Sequence, residues 1–175
     1  MTGPWEIREG AVGPVTLDAP LPAALLQGAE EFYFARYIAD GQPFEGFDFA
    51  DQGVQVAIGG GPFAAWDRRS GPGEPPTDQL RETAVKKASH GAKVSAIVIR
   101  GDAARTGGGA GVGSTLTDLQ AAHGEAKLRP LPPTFGDDLC SAWVDGLPGV
   151  SFVFASCDAA KEGAPVLRVD LWGAR

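Results

Sequence analysis

The chain has 175 residues, is 43% hydrophobic and carries a formal net charge of -7, from 15 Lys and Arg against 22 Asp and Glu. That size and apolar content support one substantial core or two small fused ones. The basic residues are scattered, with Arg68-Arg69 and Lys86-Lys87 as their nearest clusters, which argues against a nucleic-acid partner because phosphate neutralisation needs clustered cations.

No apolar run approaches the ~18 residues of a membrane-spanning helix; the longest is Val94 to Ile99. Met1 to Arg8 has no basic stretch leading into an apolar one, so no signal peptide is expected in the sequence as it stands. Asparagine is absent, so turns must draw on Gly, Pro and Asp.

In chain order, Trp5 to Arg8 and Val12 to Leu17 read as short strands, and Pro20 suits the first turn of a helix over Leu21 to Phe32. Phe47 and Phe49 alternate in phase with Val54, Val56 and Ile58, which predicts a half-buried antiparallel hairpin around Ala50 to Gly53. Gly59-Gly60-Gly61-Pro62 ends that strand. Ala64 to Trp66 reads as another strand, Ser70 to Pro76 as an exposed loop, and Thr77 to Lys87 as a helix. Val94 to Ile99 is the clearest strand of the chain.

Arg105 to Gly111 reads as a flexible, glycine-rich connector. Beyond it, Thr115 is placed to cap a helix by accepting from the Asp118 backbone N–H, with Leu116 and Leu119 on the buried side and Gly124 as a left-handed stop. Pro130 to Pro133 leads to a hairpin of Leu139 to Val144 with Val150 to Phe154. The last strand alternates Leu167, Val169 and Leu171 with Arg168, Asp170 and Trp172, which predicts one buried and one wet face.

Cys140 and Cys157 are the two cysteines. Pairing Val144 with Val150 sets Cys140 opposite Phe154, and a Cys157 continuing in that strand would face the other way. A disulfide therefore requires the chain to leave the sheet after Phe154, which Ser156-Cys157-Asp158 permits; the alternative is two unpaired thiols. A bridge would imply an oxidising compartment.

Chemical signatures are sparse. Gly108 to Gly113 has the glycine spacing of a phosphate-binding loop, but Ser114 occupies the place of the essential lysine. His90 and His123 each precede a glycine at an expected helix end, where a histidine favours the carbonyl terminus, and neither has Cys or Asp at metal-ligand spacing. Ser114, Ser141 and Ser151 lack the nucleophile-elbow context, and the adjacent pairs Glu30-Glu31 and Asp137-Asp138 point apart rather than forming a catalytic dyad. No catalytic residue, metal site or cofactor is expected. Trp66, Trp143 and Trp172 are the candidate binding residues, since tryptophan dominates interface hot spots. Trp143 and Trp172 fall in phase with polar neighbours, on a face that is either a ligand surface or covered by the other half of the chain.

Two stretches share one order of landmarks. In the first these are Ala11-Val12-Gly13, Leu21 to Leu26, Gly53 to Ile58 and Val94 to Ile99; in the second, Gly111-Val112-Gly113, Leu116 to Ala122, Gly149 to Phe154 and Val166 to Trp172. The expectation is an α+β protein of two tandem helix-on-antiparallel-sheet repeats, 1–104 and 105–175. The run Val112 to Gly124, followed by the hairpin and last strand and echoed more weakly from Val12, resembles the beta-lactamase inhibitory protein family and the SmpA/OmlA-type outer-membrane lipoprotein domains. That resemblance implies a short helical element on an antiparallel sheet, singly or in tandem, and no particular activity.

The leading expectation is a non-enzymatic periplasmic or secreted protein, such as the soluble part of a lipoprotein, that binds another protein through its sheet face or long loops. A small enzyme or small-molecule-binding protein with a pocket between the repeats is the second reading. The third is a cytoplasmic acidic inhibitor or immunity-type protein that neutralises a basic toxin.

Overall fold

The computed structural model describes residues 3–28, 31–38, 42–58, 90–132 and 138–172. The expected strand at Ala64 to Trp66, the loop at Ser70 to Pro76 and the helix at Thr77 to Lys87 lie outside these residues, as does Trp66 itself.

Three short strands open the fold: β1 (Glu6–Arg8), β2 (Ala11–Val12) and β3 (Val15–Thr16). The single strand expected over Val12 to Leu17 is instead folded back on itself. Gly13 adopts φ 55°, a left-handed conformation open to glycine at no steric cost, and Pro14 cannot donate to a ladder. The turn is also packed from above, since a Cβ on Gly13 would collide with the Trp5 ring.

A helix α1 (Ala23–Gly28) follows, and then β4 (Glu31–Ile38) and β5 (Gln42–Phe49). The helix expected to reach Phe32 therefore stops four residues earlier. Phe32, Tyr33, Phe34, Tyr37 and Ile38 are aromatic or β-branched, residues that fit a pleated sheet better than a helix, and the backbone of β4 pairs antiparallel with β5.

A 3-10 turn (Ala50–Gln52) joins β5 to β6 (Val54–Ile58), and β7 (Val94–Ile99) lies beside β6. The hairpin around Ala50 to Gly53 matches the sequence reading, with Phe47 opposite Val56 and Phe49 opposite Val54.

The glycine-rich stretch is no loose tether. Its first residues form β8 (Arg105–Thr106), which pairs parallel with β1 and completes a four-stranded sheet of order β3-β2-β1-β8. The Thr106 N–H donates to the Ala110 carbonyl at 2.8 Å, and the Ala110 N–H donates to the Thr106 hydroxyl at 3.1 Å.

Helix α2 (Leu116–His123) then begins as the sequence suggests. The Asp118 N–H donates to Thr115 Oγ1 at 3.2 Å and the Thr115 N–H donates back to Asp118 Oδ2 at 2.9 Å, a reciprocal capping box. The Thr115 backbone and hydroxyl hold the Asp118 carboxyl below its ordinary range. Gly124 ends α2 at φ 88°, ψ -160°, a region outside the left-handed helix well that is reached essentially by glycine alone.

Beyond it come β9 (Ala126–Pro130), β10 (Cys140–Val144), β11 (Val150–Phe154), α3 (Cys157–Lys161) and β12 (Arg168–Trp172). Cys140 stands opposite Phe154, as the hairpin register requires. The chain leaves the sheet there: Ser156 caps α3, and Cys157 at its first position bonds Cys140 across a Cα–Cα distance of 5.0 Å.

The large sheet is antiparallel throughout, in the order β4-β5-β6-β7-β12-β11-β10-β9. The protein is thus mixed α and β, predominantly β. On one face, Phe47, Val54, Val56, Ile97, Ile99, Val169, Leu171, Phe152 and Phe154 form a continuous core. Leu119 of α2, Ala160 of α3 and Ile7, Val12 and Val15 of the small sheet close over it. The Trp5 ring tilts against Phe49 with centroids 5.3 Å apart, and the buried Gln52 amide accepts from the Trp5 N–H and donates to the Gly3 carbonyl, tying the small sheet to the large one.

The disulfide closes a loop across a sequence separation of 17, for which chain-entropy reasoning gives a stabilisation of about 3 kcal/mol. Reducing it, or replacing both cysteines by alanine, is expected to lower the urea unfolding midpoint accordingly. An unchanged midpoint would show that the bridge adds nothing.

Candidate functional site

The large sheet has a second face, turned away from α2, α3 and the small sheet. Because side chains alternate along a strand and partners across a ladder share a face, the register assigns its residues. One row runs from Lys127 on β9 to Trp143 on β10, and continues through Ser151, Asp170, Val98 and Gln55 to Asp48 on β5. The next row runs Arg129, Ser141, Val153, Arg168, and one step past the Val169–Ile99 pair it reaches Arg100.

Trp143 and Trp172 lie on this face, both half-buried. Their phase with polar neighbours, read from the sequence, agrees with the register. Burial is deepest mid-face, at Ser141, Ser151, Val153, Ala57, Ala96 and Val98, and declines toward the edge strand β9, where Lys127 and Arg129 are exposed. The wet face expected for the last strand is accordingly not wet at Asp170, which is only 3% exposed. Shielding on both faces removes the simple alternation between water and core.

Asp170 is held by Arg168, whose Nε donates to Oδ1 at 3.1 Å and to Oδ2 at 3.0 Å. Burial pushes its carboxyl above the ordinary range, and the charge and hydrogen bond of Arg168, with the smaller effect of the Arg100 charge, only partly offset this. Arg100 lies on the same side, its Nε donating to Gln55 Oε1 at 3.1 Å. The Ser141 and Ser151 hydroxyls hydrogen-bond each other across β10 and β11, so both buried polar groups have a partner.

Sequence reading placed the two tryptophans but missed the buried charge pair, the serine pair and the cations of β9. Alternation in Ala126-Lys127-Leu128-Arg129 was the available signal for that strand, and its brevity between Gly124 and Pro130 concealed it.

A shallow, open groove of about 810 Å³ lies on a different part of the molecule, lined by Asp102, Arg105, the Gly108-Gly109 turn, Ser114, Asp118 and one side of α2. The Ser114 hydroxyl is committed within its own loop, accepting from the Gly111 N–H at 3.0 Å and from Arg105 Nη1 at 3.3 Å. His123 does more than end a helix: its Nε2 lies 2.6 Å from the Thr106 hydroxyl, joining α2 to β8. Among the described residues no three His, Cys, Asp or Glu side chains group to hold a metal ion, and no helix is long and apolar enough to cross a membrane.

The raised Asp170 carboxyl sets a pH dependence. A carboxyl whose folded value exceeds its unfolded value binds its proton more tightly when folded, so its contribution to stability falls as pH rises from the ordinary 3.8 through the raised value. The urea midpoint of the native protein relative to that of Asp170→Asn is expected to fall as pH rises above 3.8 through the carboxyl titration range. A difference that stays constant across this range would mean that Asp170 titrates as an ordinary exposed acid.

The fold is similar to that in the crystal structure of the uncharacterized protein YfeY from Escherichia coli, with a TM-score of 0.54 and 15% identity, covering 95% of this chain and 99% of that one. At that identity the likeness is one of fold. No protein-family model and no curated protein matches the chain.

Proposed function

We propose that the chain is a helix-on-sheet unit made twice, related in design to the beta-lactamase inhibitory proteins, and that it works outside the cytoplasm as a non-enzymatic module that binds another protein. The order of elements supports the duplication. In each half a helix precedes four consecutive antiparallel strands, β4 to β7 after α1 and β9 to β12 after α2, and the halves meet through the last strand of each. The Cys140–Cys157 bridge supports an oxidising compartment, periplasmic or secreted.

One observation carries the binding reading. On the second face of the sheet half-buried Trp143 stands opposite exposed Lys127 of the edge strand β9, and half-buried Trp172 lies at the end of β12, both outside the covered middle of serine, alanine and valine. Tryptophans that stay half-buried where the middle of the face is covered keep part of each ring open to a partner, offering wide contact area at low entropic cost. The groove beside the glycine-rich turn supports a second reading, a small-ligand protein, through its concavity and its mixed Asp102, Arg105 and Asp118 lining.

Photo-crosslinking in cells separates the two. A photoreactive aromatic at Trp143 is expected to trap one defined protein, and the same group at Gln120, an exposed position of α2, is expected to trap none. Equal trapping at both positions, or none at Trp143, would remove the sheet face as the binding surface.

A further inference from the structure

The groove beside the glycine-rich turn holds charges of both signs that no described residue neutralises. Arg105 is half-buried, yet it donates to uncharged acceptors, from Nε to the Asp102 carbonyl at 3.0 Å and from Nη1 to Ser114 Oγ at 3.3 Å. The Asp118 carboxylate accepts from the Thr115 N–H through Oδ2 at 2.9 Å, and Asp102 lines the same groove. Among the described residues none of these three side chains enters an ion pair. Glu6 approaches the turn at Gly107, which is outside the lining.

We infer that this groove binds a free amino acid with an apolar side chain, its carboxylate on Arg105, its ammonium on Asp118 and its side chain against Val112, Ala121 and Ala122. This deepens the small-ligand reading of the groove and rests on it.

Charge selects a zwitterion. A purely anionic ligand meets Asp102 and Asp118, and a purely cationic one meets Arg105, whereas a ligand of both signs finds a partner for each. The Arg105 fork is preset, since its two hydrogen bonds to uncharged oxygens fix its plane and leave Nη2 for a carboxylate. The Thr115 backbone and hydroxyl hold the Asp118 carboxyl below its ordinary range, so it is charged at neutral pH.

Spacing selects a small ligand. Ser114 and Thr115 are consecutive, so hydrogen bonds of 3.3 and 2.9 Å and one residue step of ~3.8 Å separate the Arg105 and Asp118 charges. That path limits their separation to about 10 Å. An amino acid, with ammonium and carboxylate oxygen ~3 Å apart, reaches both through one hydrogen bond of ~2.9 Å at each end.

Room for the side chain comes from small residues. Asp118, Ala121 and Ala122 are three and four positions apart and share one flank of α2. The turn closes directly against that flank, since a Cβ on Gly108 would come within 2.9 Å of the Ala122 Cβ. Val112 adds an apolar wall.

The test uses the whole protein, isotope-labelled for amide shifts, with Gly108, Gly109 and Gly113 reporting on the groove. The probes are L-leucine and its blocked forms: leucinamide, which lacks the carboxylate, N-acetylleucine, which lacks the ammonium, and N-acetylleucinamide, which lacks both. Leucine is expected to shift the three glycines saturably and to bind at least about tenfold more tightly than any blocked form. In Arg105→Gln, leucine and leucinamide are expected to bind alike; in Asp118→Asn, leucine and N-acetylleucine. The asparagine still accepts from the Thr115 N–H, so the helix cap survives. A merely looser fold would weaken all the ligands together and leave their order unchanged.

Equal shifts from all the ligands overturn the zwitterion inference and leave the groove as a small-ligand site. Shifts from one singly blocked form alone mark a site for a protein chain terminus and overturn it too, as does a preference for leucine that survives in both variants. No shift at the three glycines from any ligand overturns both the inference and the small-ligand reading.

Discussion

β7 and β12 belong to distant parts of the sequence, and their antiparallel ladder, from Val169 opposite Ile99 to Trp172 opposite Ala96, makes one sheet out of two runs of four strands. Everything else is arranged around that seam. Ile97 and Ile99 on one side and Val169 and Leu171 on the other are fully or almost fully buried. Neither run could bury these residues without the other, because a four-stranded sheet ending at β7 or β12 would present an uncovered apolar edge. The seam also brings Arg168 and Asp170 beside Arg100, so the polar chemistry of the second face is a product of the same pairing.

How much of this was legible depends on whether local pattern and long-range context agreed. The β10–β11 hairpin was readable to single-residue register, because Asp145 to Gly149 fixes the turn and Val144 and Val150 fix the phase. The capped start of α2 was readable because Thr115 and Asp118 form a self-contained motif. Strand β4 was not, because Glu31 to Ile38 continues an apolar stretch from α1 with no proline or glycine after Gly28 to mark the change of period, and only pairing with β5 decides it. The glycines after Thr106 suggested looseness, yet that turn is fastened by the Thr106 hydroxyl and by a parallel strand pair that no local signal announces.

The candidate face was legible in part, for a related reason. Period-two alternation identified Trp143 and Trp172 as sharing the phase of polar residues. It could not distinguish a polar residue in water from one that is buried and paired. Asp170 and Ser141 look alike to a pattern reading, one a solvated acid and the other a surface hydroxyl, and both are withdrawn from solvent and satisfied by a neighbour one strand away or two residues along. Buried polar groups matched in this way cost little beyond an apolar core and fix which strands sit together.

Joining the two runs through their final strands has one more outcome: among the described residues their first strands, β4 and β9, are the rims of the sheet. A rim with free backbone donors and acceptors invites another copy of the same chain to stack against it. On β9 the sequence Lys127-Leu128-Arg129-Pro130 places two like charges and a residue without an N–H along that border, both recognised deterrents to edge-on polymerisation. Lys127, Arg129 and Pro130 thereby discourage the protein from assembling with itself along this border.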